Sequence, residues 1–520
     1  MKKFTVLGLF ALLVMVFSAT AYAQIEFKAS GMIATGFIWE RNVTDGVPGG
    51  VWTPWGGQPF AANLPPNGTN AADSGMWNRP QSFSESYGSL RFDFSTGKEI
   101  TGTFLFEMIN ARSGMAFDGP VVTRAPEQAS FDTGIWGFKG PEFRIVNYYI
   151  DFAVPYFGIP APMNIRAGVQ TFGIRPTFFI STPGFGITYT VKADPASFAF
   201  MWGKMADPKE AASNDSTMYA GDLKANFGNI SVGTFLVYDK MKQYPVTDLQ
   251  IPYGVSPDMK ADIFWWGLYS DGKAGPVNYN FDFIYDFGKV KAYDNSPLAG
   301  NPDVKYRGWV GQVKFNVPME KFTFGGLGLY SSGADLRKTG EMGFPGEAAL
   351  NGGAPATKVG TFMNPPSSEG FVPWAESLFL GGDFSTLIGI PLGYIPDFTF
   401  GSQLHRGSFG GTWIAKLFAS YQTTPSFKTT LQGLYIGDTT KHGNTLGNAV
   451  DADGNPRNDN TIGWEFDLIN NIMIYKNLHL TVEGGLLFAG KALEQNVPGT
   501  FENAKPRTPY CVATTLVYFF

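Results

Sequence analysis

Hydrophobic and polar residues alternate with a period of two along most of this chain. Between residues 276 and 288 the odd positions are apolar or aromatic, whereas the even positions are mostly polar. Successive side chains of a β-strand point to opposite faces of a sheet, so this pattern predicts a strand with one apolar and one polar face. The pattern recurs up to the C-terminus, and we therefore predict an all-β fold.

About 18 segments carry the alternating pattern, and several have the 9–11 residues with which a tilted strand crosses a bilayer. Counts of 16 and 20 strands stay open. Phe398, Phe400 and Leu404 alternate weakly within 332–410, and a hairpin there would raise the count to 20. The predicted strands are 25–40, 85–96, 100–109, 143–154, 163–171, 184–192, 196–204, 217–226, 229–239, 262–271, 276–288, 306–317, 321–331, 411–422, 427–437, 461–472, 477–489 and 507–520.

The connections between these strands alternate in length. Short turns such as 193–195 and 227–228 are followed by long loops, of which 41–84, 110–142 and 332–410 are the longest. Transmembrane β-barrels have short turns at one end and long loops at the other, whereas a soluble sandwich has no reason to alternate them. We predict an antiparallel up-and-down transmembrane barrel with both termini at the short-turn end.

The N-terminus has the three parts of a secretory signal. Lys2 and Lys3 are positive, 4–17 is apolar, and Ala21 and Ala23 form a small-x-small cleavage site. We therefore predict a signal peptide at 1–23 and a single barrel domain at 24–520. No later segment has the roughly 20 uninterrupted apolar residues of a spanning helix.

Composition narrows the function classes. The chain of 520 residues has 47 Phe, 22 Tyr and 12 Trp, but only 16% charged residues, against roughly 25% in soluble proteins. The net charge is −5, without a basic stretch, which argues against a nucleic-acid-binding protein. A single Cys excludes a disulfide framework or a thiolate zinc site within this chain.

The last strand carries a more specific signature. Phe520 is terminal, Tyr518 lies two residues before it, and Leu516 and Val512 share their face. This ending resembles the closing strand of Gram-negative outer-membrane barrels, and residues 411–492 resemble the final hairpins of alginate-export-like and general porins. The resemblance implies an outer-membrane location, with Leu516, Tyr518 and Phe520 as the signal for the barrel-assembly machinery. It also implies contact with outer-membrane lipid and lipopolysaccharide, and a homotrimer.

A barrel of 16–18 strands encloses an aqueous channel, so we predict a porin that passes small hydrophilic solutes or ions by diffusion. The mixed charges predict weak ion selectivity, and loops 110–142 and 332–410 are the candidates for narrowing the channel. By alternation, the predicted pore-lining residues are Lys28, Arg91, Asp93, Glu107, Asp151, Arg166, Asp222, Lys224, Asp282, Asp286, Lys314, Lys416, Lys428, Glu465, Asp467 and Glu483.

Two other functions stay open at this point. A substrate-specific channel for a polysaccharide or a hydrophobic compound would need a matching ladder of side chains in the lumen. A barrel enzyme would need a triad, for which only His479 beside Thr481 and Glu483 offers material, and we predict no catalytic residues.

We predict no cofactor unless a calcium ion binds in an outer loop. Asp451, Asp453 and Asn455 alternate as oxygen ligands do in calcium loops. A plain polar loop accounts for the same residues, because Asp and Asn are frequent turn formers.

Overall fold

The computed structural model is a closed antiparallel β-barrel of 18 strands. This confirms the predicted fold class and strand number among the described residues. The structure describes residues 25–41, 81–97, 99–113, 142–155, 161–176, 178–205, 216–242, 244, 259–296, 298–337, 345, 357–363, 365, 377, 410–445, 447, 449–496, 500–505 and 508–520. The predicted signal peptide and the residues proposed for an extra hairpin, Phe398, Phe400 and Leu404, lie outside them.

Each barrel strand matches one predicted segment, and most extend it by a few residues. The strands are β1 (Ile25–Arg41), β2 (Gln81–Thr96), β3 (Ile100–Ser113), β4 (Glu142–Ala153), β5 (Met163–Ile174), β6 (Ile180–Ala193), β7 (Ala196–Met205), β8 (Ser216–Phe227), β9 (Ile230–Met241), β10 (Met259–Ala274), β11 (Val277–Ala292), β12 (Trp309–Met319), β13 (Phe322–Ser331), β14 (Thr412–Thr424), β15 (Phe427–Asp438), β16 (Thr461–Tyr475), β17 (Leu478–Ala489) and β18 (Tyr510–Phe519).

The first and last strands close the barrel. β1 pairs with β2 on one side and with β18 on the other, in a register that sets Met32 opposite Phe519. The terminal residue continues this seam, because the Gly31 N–H donates to the Phe520 carbonyl at 2.9 Å and the Phe520 N–H donates back at 3.1 Å. Closure removes the free strand edges that a membrane would not tolerate.

Short connections gather at the end of the barrel that holds both termini. Examples are 194–195 between β6 and β7 and 320–321 between β12 and β13. The opposite end carries the long connections and one short exception, the five residues 175–179 between β5 and β6. The described residues contain a single short 3-10 turn, Lys491–Leu493, and in them no helix is long and apolar enough to span a membrane.

The two faces of the wall differ as the alternation predicts. Large apolar side chains such as Phe281, Phe287 and Trp266 are exposed on the outer face. Their neighbours Asp282 and Asp286 are buried on the inner face. An apolar outer wall around a polar interior is the arrangement of a transmembrane β-barrel, because the outer wall faces hydrocarbon.

We expect that closure of the barrel between β1 and β18 requires a residue without a side chain at position 31. A Cβ at this position would collide with the Ser89 carbonyl oxygen and lie 2.7 Å from the Phe520 ring. We expect Gly31→Ala to lower the free energy of unfolding by about 1–3 kcal/mol, the usual cost of overpacking. Urea unfolding in lipid vesicles measures this, with Gly328→Ala as the control, because nothing lies within 4 Å of a Cβ there. Equal effects of the two substitutions would contradict the close approach at the seam.

Candidate functional site

The connection between β5 and β6 turns into the interior of the barrel. Arg175 adopts a positive φ of 48°, and its carbonyl accepts the N–H groups of Phe178 and Phe179 at 2.7 and 2.8 Å. A left-handed conformation is unfavourable for a non-glycine residue and persists only where the surrounding structure holds it. We name the described residues of this connection, 175–176 and 178–179, the inner turn.

Arg175 binds two carboxylates on the inner face of β10 and β11. Its guanidinium donates to both oxygens of Asp271 at 2.6 and 2.9 Å, and to Asp282 at 2.5 and 3.1 Å. It also lies 4.6 Å from the centre of the Tyr269 ring. Because the planar guanidinium matches two carboxylates at once, this contact fixes the inner turn against β10 and β11.

The two carboxylates belong to a wider polar network on the same wall. The Asn280 amide donates to Asp271 at 2.5 Å, and the Gln312 amide donates to Asp282 at 2.8 Å. The Tyr269 hydroxyl donates to Asp222 at 2.9 Å. Each acid is thus positioned by a side chain from another strand, which holds the charges of this network in place.

Aromatic packing holds the other half of the inner turn. Phe179 is wholly buried. Its ring stacks on Phe235 of β9 with 5.2 Å between centroids and lies 6.3 Å from Trp265 of β10. These wall residues face inward, so the interior beside β9 and β10 is filled with apolar side chains and is not bare to water.

Part of the long loop between β13 and β14 also reaches the inner wall. The Trp265 indole N–H donates to the Met363 carbonyl at 2.6 Å. The Asp286 carboxylate accepts the backbone N–H groups of Gly308 at 2.5 Å and Met363 at 2.9 Å. Farther along the same loop, the Ser377 hydroxyl donates to Glu465 at 2.5 Å. Met363 and Ser377 of the loop predicted at 332–410 therefore lie against the inner face of the barrel wall.

Two arginines of the early strands are much less covered. Arg91 pairs with Asp93 at 2.8 Å and Arg166 pairs with Asp151 at 2.8 Å, and the two arginine side chains are 44% and 39% exposed. Beside them the Tyr87 hydroxyl donates to Glu107 at 2.9 Å. The part of the interior that is open to solvent therefore borders on β2 and β5 more than on β9 to β11.

Two acids on β16 and β17 are buried without full hydrogen bonding. Glu483 is 2% exposed, and within the described part of the chain neither of its carboxylate oxygens has a partner. Asp467 accepts the Gln432 amide at 2.8 Å through one oxygen, while its other oxygen is unpartnered in the described residues. Burying a carboxylate oxygen without a hydrogen-bond partner costs free energy.

The sixteen predicted pore-lining residues all lie on strands whose opposite face carries the exposed apolar side chains. Their coverage differs: Asp282, Asp286, Glu465, Asp467 and Glu483 are almost completely buried. As the lining of a channel the set stays a prediction. The members not described above are Lys28, which lies opposite Asp93 in the β1–β2 register, and Lys224, Lys314, Lys416 and Lys428.

The two remaining candidate sites are His479 and the loop around Asp451. His479 contacts the Lys476 carbonyl at 3.2 Å and lies edge-on to Phe519. The Asp451 carboxylate accepts the backbone N–H groups of Asn455 and Asp453, both at 2.9 Å, and these bonds hold the pKa of Asp451 below its usual value. Calcium at this loop stays a prediction.

No protein-family model matches the chain, and no curated protein matches its sequence.

The chain is similar to solved outer-membrane porins. A BenF-like porin from Pseudomonas fluorescens Pf-5 has 9% identity and a TM-score of 0.44, covering 95% of this chain and 98% of that one. Acinetobacter baumannii OccAB4 has 10% identity and a TM-score of 0.46, covering 96% and 100%. Pseudomonas aeruginosa OccK8 (OprE) has 9% identity and a TM-score of 0.45, covering 95% and 98%.

Sequence reasoning missed the inner turn and its partners. Arg175 and Phe179 stand in a short connection that no pattern marks as special. β10 did carry a signal, because Ile263, Phe264, Trp265 and Trp266 are apolar on both faces. A strand that is apolar on both faces indicates that both faces are covered.

Proposed function

We propose that this protein is an outer-membrane porin that lets small hydrophilic solutes or ions diffuse through the barrel interior. The observation that carries the proposal is the closed 18-stranded wall with apolar side chains outside and charged side chains inside. A barrel of 18 strands is wide enough that its inward-facing side chains do not fill the lumen. A chain with this wall needs no carrier step, because solutes pass through an aqueous interior.

The orientation follows from the connections. Secretion delivers the chain to the periplasmic side, and outer-membrane barrels keep their short turns and both termini there. The long-loop end of the barrel then faces the outside. A solute that crosses the lumen would pass the charged network around Arg175.

A substrate-specific channel is the second candidate, and the inner turn favours it. Arg175 and Phe179 bring a fixed charge and a fixed ring into the interior, where they reduce the free width. A narrowed passage with positioned charges discriminates among solutes more strongly than an open lumen. The carboxylate-rich wall and the exposed Arg91 and Arg166 favour polar solutes over hydrophobic compounds.

Conductance in planar bilayers tests the proposal. We expect the folded protein to produce discrete single-channel steps whose size increases in proportion to salt concentration, because ions cross in water. Weak selectivity in a salt gradient would support general diffusion, and saturation by one class of solute would support the specific channel. Folded protein that inserts without any conductance would overturn both. Heat-unfolded protein is the control.

A further inference from the structure

Seven basic side chains gather on the outer face of the barrel at its long-loop end. They come from β9, β10, β11, the short strand Val304–Tyr306 that pairs with β11 and the residue after it, and the short strand Lys358–Val359 that pairs with Val304–Tyr306. Two acids, Asp262 and Asp303, stand among them. Five of the seven side chains are exposed and two are half-buried. We name as the basic patch Lys240, Lys260, Lys289, Lys291, Lys305, Arg307 and Lys358.

Strand pairing sets the centre of the basic patch side by side. Lys240 lies opposite Asp262, which lies opposite Lys289. Lys289 lies opposite Lys305, and Lys305 lies opposite Lys358. Neighbouring strands are about 4.8 Å apart, so this row extends over roughly 19 Å. Three lysines stand in it without an acid between them, and like charges directly opposite each other destabilise a sheet.

The two acids are already engaged. One carboxylate oxygen of Asp303 forms ion pairs with the ammonium groups of Lys291 at 3.3 Å and Lys289 at 3.9 Å. Asp262 accepts the Tyr238 hydroxyl at 2.6 Å. Among the described residues no carboxylate lies within ion-pair distance of Lys305 or Lys358. The basic patch therefore keeps a surplus of positive charge that an outside anion can neutralise.

A row of aromatic rings fixes the depth of the basic patch. Tyr219, Tyr238, Phe264 and Phe287 form a continuous series across β8 to β11, with 5.9, 4.5 and 5.1 Å between successive centroids. Aromatic girdles mark the boundary between hydrocarbon and headgroups. Lys240, Lys260 and Lys289 lie on the same faces as these rings, nearer the long-loop end. The lysines are thus at the depth of lipid headgroups.

We propose that the basic patch binds the phosphate groups of a phosphorylated glycolipid, lipopolysaccharide, in the outer leaflet. The inference rests on the proposed outer-membrane location and orientation. The lysines face the lipid side of the wall, directly above the aromatic row, so a headgroup anchored in the bilayer reaches them. Ammonium groups bind phosphate as point charges, and several in a row suit a lipid with more than one phosphate.

The test compares two matched triple variants as purified folded barrels in detergent. The patch variant carries Lys289→Gln, Lys305→Gln and Lys358→Gln. The control variant carries Lys273→Gln, Lys321→Gln and Lys476→Gln, which removes the same number of exposed lysines from the short-turn end. Titration with lipopolysaccharide is followed by native mass spectrometry. Each lysine contributes roughly fivefold at an anionic lipid surface, so we expect binding to the patch variant to weaken about 100-fold.

The outcomes separate the inference from the proposed function. Unchanged binding by the patch variant, or equal losses in both variants, would overturn the inference. Binding of dephosphorylated lipopolysaccharide as tightly as the intact lipid would do so too, and so would preference for phosphatidylglycerol vesicles or for inorganic phosphate. Single-channel conductance of the patch variant is expected to stay at the wild-type value. A patch that binds lipopolysaccharide on a barrel that does not conduct would instead reject the porin function alone.

Discussion

Replacing Arg175 with alanine is expected to lower the free energy of unfolding of the barrel by about 3–5 kcal/mol, because it leaves buried acids uncompensated. The conductance is expected to rise, because the inner turn is then no longer held inside the barrel. The Arg175 side chain is 17% exposed and Asp282 only 1%. Asp271 is 35% exposed, so water relieves part of the cost there and the lower end of the range is expected. Urea unfolding in lipid vesicles measures the stability, and single-channel recording measures the conductance.

The matched control is Arg166→Ala in β5, which also removes an arginine paired with an acid. Arg166 and Asp151 are 39% and 20% exposed, and such partly solvated pairs contribute about 1 kcal/mol or less. Arg175→Lys gives a second comparison, because lysine keeps the charge but cannot bind two carboxylates in a planar fork. If Arg175→Ala and Arg166→Ala changed stability and conductance to the same extent, the bridging role of Arg175 would be wrong.

β11 illustrates how much the sequence alone predicts. Its alternation identifies a strand and places Phe281 on the outer face and Asp282 on the inner face. An outer face in hydrocarbon implies a closed wall, because no water is present there to bind the free edge of a sheet. Each of these statements depends only on the two-residue period of a strand. Strand number and pairing order follow from the succession of such segments joined by turns. Local rules therefore suffice for the wall.

The interior could not be predicted in the same way. Arg175 meets Asp271 and Asp282, which are 96 and 107 residues away in the chain, and nothing in the five-residue connection indicates that it turns inward. Alternation identifies the inner face but not what covers it. Asp286 illustrates this, since it faces inward as predicted yet holds the backbone of Gly308 and Met363.

The basic patch is an intermediate case. Lys289 and Lys291, like Lys305 and Arg307, are spaced two apart, which places each pair on one face of a strand. The predicted strands 276–288 and 306–317 include only Arg307 of these four, and the observed strands extend to the other three. The pairing of Lys305 with Lys358 joins segments that the sequence pattern does not connect. A local pattern thus gives the direction of each lysine, whereas their assembly into one surface depends on the three-dimensional fold.

Phe179→Ala is expected to have a stability effect as large as that of Arg175→Ala, about 3–5 kcal/mol, because it deletes a wholly buried ring and leaves a cavity. The ring is the contact between the inner turn and the apolar wall formed by Phe235 and Trp265. Its loss is expected to loosen the turn and raise the conductance. The control is Phe185→Ala in β6, whose ring is 54% exposed on the outer face and which should leave the conductance unchanged.

Combining Phe179→Ala with Arg175→Ala distinguishes a shared role from two separate ones. The two residues hold opposite parts of one five-residue turn, so either single variant should already free it. We therefore expect the conductance of the double variant to equal that of the single variants, with a stability loss smaller than the sum of the two. Additive losses together with a stepwise rise in conductance would mean that each residue narrows the passage by itself. The inner turn would then not act as one unit, and the proposed narrowing would have to be assigned to the two side chains separately.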